Sequence, residues 1–142
     1  MADTGSESIE INASAEKILA VVADIEAYPE WMPAFHDARV LETDASGRPS
    51  RAQFEVDAKI KVVDYVLEYE YPDGGVSWKS VEGNVKEIAG SYALEESDGS
   101  TKVRYTYSID AGFPIPGFLR KQGVKVMVSS ALNDLKRRAE SL

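Results

Sequence analysis

The chain of 142 residues contains no cysteine. Disulfides, thiolate catalysis and cysteine-held zinc or iron–sulfur centres are therefore excluded. Histidine occurs once, at position 36, so a multi-histidine metal site cannot form. Neither a metal nor a cofactor is expected. Long hydrophobic runs are missing too: the longest, Ile18 to Ala23, is far too short to span a bilayer. Positive charge is in the minority. Sixteen Lys and Arg stand against twenty-four Asp and Glu, a net charge of -8. Such a surface repels phosphate backbones and argues against a nucleic-acid partner. The first seven residues hold no basic region and no apolar stretch. A secretory signal is thus not expected, and the cytoplasm is the default location. A glycine-rich phosphate loop, a Gly-x-Ser-x-Gly elbow and a His-Glu-x-x-His pair are all absent.

What remains is an ordinary globular composition, 44% apolar and 28% charged. The length suits one domain over 1–142, ordered from about residue 8 to 141, with no linker and no internal repeat. Charge is uneven. Residues 1–71 hold fifteen acidic and six basic side chains, whereas 116–142 hold two and six. That basic tail reads either as a solvated helix face or as a contact with an acidic partner or lipid head group.

Ser8 to Asn12 alternates polar and apolar residues and predicts a short strand, after a frayed polar start. Ser14 can cap a helix that buries Ile18, Val21, Val22 and Ile25 and ends at Tyr28-Pro29. Tyr28 to Pro33 is then an aromatic turn or a second short helix. From Ala38 the period becomes two. Strands are predicted at 38–43, 51–57, 61–71, 76–80, 85–95 and 101–109, separated by turn clusters such as Pro72-Asp-Gly-Gly75 and Ser97-Asp-Gly-Ser100. Residues 118–141 read as one long helix with Val124, Val128, Ala131, Leu135 and Leu142 on a stripe that Met127 and Leu132 widen. Gly123 inside it marks a bend or a close approach of strand or ligand. An antiparallel meander with one polar and one aromatic face needs a cover, and only the last helix is long enough. The fold class is α+β, with a curved sheet wrapped round that helix.

Six tyrosines take the apolar face by alternation: Tyr65, Tyr69, Tyr71, Tyr92, Tyr105 and Tyr107. A dry core is more simply built from Leu, Ile and Val, because a buried hydroxyl without a partner costs about 1–3 kcal/mol. Two readings stand: a cavity wall whose oxygens meet water or ligand, or ordinary sheet tyrosines whose hydroxyls reach the rim. Trp78 is core or pocket wall, and Trp31 packs the short helical turn on the sheet. His36 reads as a surface or structural residue, since no nucleophile and no orienting carboxylate match it by spacing. The face carrying Asp64, Glu68 and Glu70 is the wet one and could hold a cation only weakly.

The segment Ala20-Val-Val-Ala-Asp-Ile-Glu-Ala-Tyr-Pro-Glu-Trp31 resembles the "v-x-D-x-x-x-Y-P-x-W" stretch of the START-like superfamily, with Asp24, Tyr28, Pro29 and Trp31 in the matching places. Phe-Pro-Ile-Pro-Gly at 113–117 followed by a long helix is similar to the same group, and the likeness covers residues 8–141. It is nearest to short actinobacterial single-domain members of the polyketide cyclase/dehydrase and coenzyme-Q-binding type. The resemblance implies a helix-grip fold: a seven-stranded curved antiparallel sheet around the C-terminal helix, two short N-terminal helices, and a deep cavity for a lipid, quinone or polyketide. The candidate ligand-binding residues are Phe54, Val56, Tyr65, Leu67, Tyr69, Trp78, Tyr92, Tyr105, Tyr107, Phe113, Val124, Met127, Val128 and Ala131. No catalytic residue can be assigned. The leading expectation is a binder or carrier of a hydrophobic small molecule. The alternatives are a polyketide cyclase, aromatase or dehydratase, and a protein-interaction or toxin-type module acting through the basic helix.

Overall fold

A computed structural model describes residues 2–58, 61–112 and 115–142. Seven strands form one antiparallel sheet in the order β1-β7-β6-β5-β4-β3-β2. They are β1 (Asp3–Ile11), β2 (Phe35–Thr43), β3 (Pro49–Asp57), β4 (Val62–Glu70), β5 (Gly75–Gly83), β6 (Glu87–Ser97) and β7 (Ser100–Asp110). Helices α1 (Ala15–Ala23) and α2 (Tyr28–Trp31) join β1 to β2, and α3 (Gly117–Ser141) follows β7. This is the expected α+β helix-grip arrangement.

Local chemistry accounts for most of the joints. Between β6 and β7, Asp98 and Gly99 both take positive φ, 53° and 79°, and Ser97 pairs with Ser100. A two-residue loop of that hand matches the twist of the strands it joins. Ser14 accepts a hydrogen bond from the Lys17 amide at 3.1 Å and starts α1. Register shifts between β2 and β3 and between β4 and β5 add twist, which helps the sheet curl.

Two expectations are corrected. First, residues 3–6 are not frayed: β1 pairs with β7 in unbroken register from Asp3↔Ile109 to Ile11↔Thr101. Helix α3 clips this edge strand along its length. Arg120 holds Asp3 at 2.7 Å, Ser129 donates to Glu7 at 3.3 Å, Lys136 donates to the Glu10 carbonyl at 2.8 Å, and the Asn12 amide donates to Glu140 at 2.9 Å. These polar contacts come from more than a hundred residues away, so the local sequence does not announce them. Second, α1 stops at Ala23, and Tyr28-Pro29 begins α2 rather than ending a helix. Tyr28 is helical (φ -50°, ψ -43°) although a proline follows. Its hydroxyl donates to the Val22 carbonyl, and its ring meets Trp31, Phe35 and Phe54 at 5.4, 5.5 and 5.9 Å. Tertiary packing overrides the local bias against α backbone before proline. Proline within the first turn removes no helical hydrogen bond.

The core lies between the sheet and the helices. Ile11, Ile18, Ile25, Phe54, Val103 and Leu135 are fully buried. Thr101, also fully buried, donates its hydroxyl to the Ala13 carbonyl at 2.7 Å. The buried residues of α3, Val128, Leu132, Leu135 and Ala139, all fall from its middle onward. Leu132 widens the buried stripe as expected. Met127 and Leu142, by contrast, are 44% and 62% exposed.

Among the described residues, nothing beyond the helix's own backbone lies within 4 Å of where a Cβ on Gly123 would sit, so no strand makes the close approach expected there. Gly123→Ala should therefore raise stability by about 1 kcal/mol through helix propensity alone. Urea melts of the two proteins check this; a destabilised variant would reveal an unseen neighbour.

Candidate functional site

The inner faces of β4 to β7 carry an aromatic belt whose ring contacts run unbroken from Tyr69 to Tyr107, with Tyr65 at its margin against Phe54. Alternation aims Tyr65 and Tyr69 (β4), Trp78 (β5), Tyr92 (β6), and Tyr105 and Tyr107 (β7) to the same side. Tyr69 lies 6.2 Å from Trp78, ring centre to ring centre. Trp78 lies 5.0 Å from Tyr92 and 5.8 Å from Tyr105. Tyr105 lies 5.0 Å from Tyr92 and 5.7 Å from Tyr107. Most of these pairs are edge-on or tilted, the favoured geometry for ring quadrupoles. Two glycines make the belt possible. A Cβ on Gly90 would sit 2.7 Å from the Trp78 ring, and one on Gly5 2.6 Å from the Tyr107 hydroxyl. Sequence reasoning missed both. For Gly90 the available signal was a lone glycine inside a predicted strand, which marks close approach of another group; Gly5, in the expected polar tail, offered none.

The sequence-expected residues do not all belong to the belt. Phe54 and Val56 lie on β3 at the end closed by α2. Phe54 is 1% exposed, with Tyr65 at 5.6 Å and Phe35 at 5.6 Å. Leu67 is buried between Tyr65 and Tyr69 on β4. On α3, Val128 is fully buried, Val124 and Ala131 are half-buried against the core, and Met127 stands in solvent. Phe113 lies outside the described residues. Tyr71 falls one residue past β4. Its hydroxyl donates to the Pro49 carbonyl at 2.6 Å and its ring carries the Arg48 guanidinium at 4.5 Å, so it braces the sheet end. His36 is exposed, 3.8 Å from Glu55, and stands apart from the belt. A cleft of about 220 Å³ lined by Lys17, Val21, Asp24, Trp31 and Arg138 also lies apart, where α1 meets the end of α3.

The hydroxyls distinguish the belt from plain core. Tyr28 and Tyr71 bond backbone carbonyls. Among the described residues, Tyr65, Tyr69, Tyr92, Tyr105 and Tyr107 have no hydrogen-bond partner for theirs. Yet among the described residues no side-chain polar atom sealed from solvent lacks a partner. These five oxygens therefore keep contact with water-sized space while their rings are buried or half-buried. Burial also fixes the charge state of four of them. It pushes the Tyr105 phenol up to about 12, with the neighbouring Tyr107 adding to the rise. Burial raises Tyr65, Tyr69 and Tyr92 as well. Those four phenols are neutral donors near pH 7 and not bases. Among the described residues, no group of three or more His, Asp or Glu could hold a metal ion, and no helix is long and apolar enough to cross a membrane.

Comparison with known proteins agrees with this architecture. A START superfamily protein from Mycobacterium smegmatis superposes with a TM-score of 0.88 at 23% identity, covering 97% of each chain. The Zhui aromatase/cyclase from Streptomyces sp. R1128 gives 0.78 at 15% identity, over 99% of this chain and 94% of its own. A STAR-related lipid transfer protein from Xanthomonas axonopodis gives 0.76 at 17% identity, over 95% and 84%. No curated protein sequence matches. Residues 3–140 match the family model described as polyketide cyclase / dehydrase and lipid transport. By that match across nearly its whole length, the chain belongs to the polyketide cyclase/dehydrase and lipid transport family.

Proposed function

We propose that the chain binds and carries a hydrophobic small molecule, of lipid, quinone or polyketide type, between the tyrosine belt and α3. One observation carries this reading: five phenol oxygens on a buried aromatic face lack protein partners yet remain open to water-sized space. In such a chamber the rings and aliphatic groups supply affinity, at about 25 cal/mol per Å² of apolar surface removed from water. The hydroxyls orient the guest by donating to its few oxygens. Tyr65, Leu67, Tyr69, Trp78, Tyr92, Tyr105 and Tyr107 form the sheet wall, and Val124, Val128 and Ala131 the helix wall. Phe54 and Val56 close the packed end. The family description, which joins lipid transport to cyclase chemistry, supports a guest of this class.

The test is direct. Native mass spectrometry of protein purified from its own host should show a co-purifying apolar ligand. A fluorescent lipid or quinone should bind, and Tyr92→Phe and Tyr105→Phe should each weaken binding about fivefold, the value of one neutral hydrogen bond. Empty protein on repeated purification, with no uptake of either probe, overturns the reading.

Cyclase action in the same chamber is the second reading, favoured by the protonated state of the phenols. A neutral phenol can polarise a ketone carbonyl but cannot take up the α-proton, so these residues act as donors and shape the closure. Tyr→Phe substitutions at 65, 69, 92, 105 and 107 should then change the ratio of cyclised products from a poly-β-ketone. An unchanged ratio across all five removes this reading and leaves the carrier.

A further inference from the structure

The first half of α3 exposes apolar side chains that none of the described residues covers. Phe118 is 74% exposed, Leu119 47% and Val126 58%. At 3.6 residues per turn these three share one outward strip with Gln122. The strip is turned by roughly 120° about the helix axis from the buried stripe of Val128, Leu132 and Leu135. Lys121 and Lys125 run along one edge of it, both exposed and without an ion-pair partner among the described residues.

Charge points to what covers the strip. No acidic residue occurs between Asp110 and Asp134. Residues 116–142 hold six basic and two acidic side chains, while residues 1–115 hold ten and twenty-two. An anionic surface therefore attracts α3 and repels the remainder of the molecule, which orients the strip toward it. Protruding Phe and Leu with lysines at the margin is the pattern of a helix lying in a membrane interface. A protein partner fits less well, because a standard protein interface engages about 20–30 residues a side and this strip offers a handful.

From these features we infer that the outward strip of α3, Phe118-Leu119-Val126 edged by Lys121 and Lys125, docks on anionic lipid bilayers. Docking goes beyond the carrier reading and needs no guest, so the two fail separately. An empty protein can still bind vesicles, and a loaded one can fail to.

Vesicle sedimentation tests it on the full chain. Phosphatidylcholine vesicles containing about a third phosphatidylglycerol should pellet the protein, and pure phosphatidylcholine vesicles should bind it at least about fivefold less. Raising salt to about 0.5 M should weaken binding. Lys121→Glu with Lys125→Glu should reduce it by on the order of tenfold or more. Phe118→Ser with Val126→Ser should reduce it similarly, with thermal unfolding unchanged because both sites are exposed. The absence of native cysteine permits a second readout. Phe118→Cys carrying a polarity-sensitive dye should shift to the blue on anionic vesicles, while the same dye at Lys102→Cys, on the outer face of β7, should not. Failure to pellet with anionic vesicles, equal binding to neutral ones, or no spectral shift at position 118 overturns the inference. So does retention of the full chain through α3 by an immobilised acidic protein, lost in the Lys121→Glu, Lys125→Glu variant, under conditions where anionic vesicles do not bind.

Discussion

Phe54→Ala should cost about 3–5 kcal/mol, the range for removing a buried aromatic ring from a core. A domain of this size has only about 5–15 kcal/mol in hand, so the variant should be partly unfolded at room temperature or melt far below the parent. The ring sits where three elements converge. Its backbone pairs with Ala38 on β2 and Tyr65 on β4, and its face stacks on Tyr28 from α2. Strand pairing on both sides prevents the backbone from closing the void. Urea denaturation with an unchanged slope measures the loss. A cost below about 1.5 kcal/mol would mean that Phe54 borders open space, which would move the proposed chamber toward β3. Phe118→Ala, on an exposed ring, is the control and should stay within about 0.5 kcal/mol of the parent.

The second large effect is alkaline. In the unfolded chain a tyrosine loses its proton near pH 10, whereas Tyr105 in the folded protein keeps it to about 12. Between those values the unfolded state binds fewer protons than the folded one, so stability falls as pH rises. It is whole below pH 10 and lost through about pH 12. Tyr105 alone accounts for on the order of 2–3 kcal/mol of that fall. Tyr28, Tyr65, Tyr69 and Tyr92 are raised in the same direction by burial and steepen it. The urea midpoint should accordingly drop sharply above pH 10, with tyrosinate absorbance rising in step with unfolding. Tyr105→Phe should flatten the slope. A folded protein whose tyrosines all titrate near pH 10 would show that water reaches the belt freely.

The sheet was legible in the sequence because strand alternation is local. Val103, Tyr105 and Tyr107 against Lys102, Arg104 and Thr106 already state which face is inward. The hairpin at Asp98-Gly99 is equally local, since only a positive-φ pair closes it. Features set at long range were not legible. Residues 3–6 look like a polar tail, and only β7 and the α3 contacts make them strand. Tyr28 before Pro29 looks like a helix end, and the rings of Trp31, Phe35 and Phe54 with the Val22 carbonyl hold it helical. The site was half legible. Pattern gives the side to which Tyr65 and Tyr92 point, but not that Tyr71 departs to brace Pro49 or that Met127 faces solvent. The two glycines beneath Trp78 and Tyr107 show the same limit, since their meaning lies in a neighbouring strand.

The polar clips between β1 and α3 bear on how the chain matures. Arg120 reaches Asp3 across 117 positions, and Glu140 meets Asn12 across 128. Until α3 has left the ribosome, the first strand has no helix to fasten it, and the aromatic belt has no lid. Contacts of such sequence separation form late and slowly. A nascent chain of this kind passes through a stage with a naked greasy sheet, so synthesis speed and chaperone supply, more than final stability, should govern its yield in a foreign host.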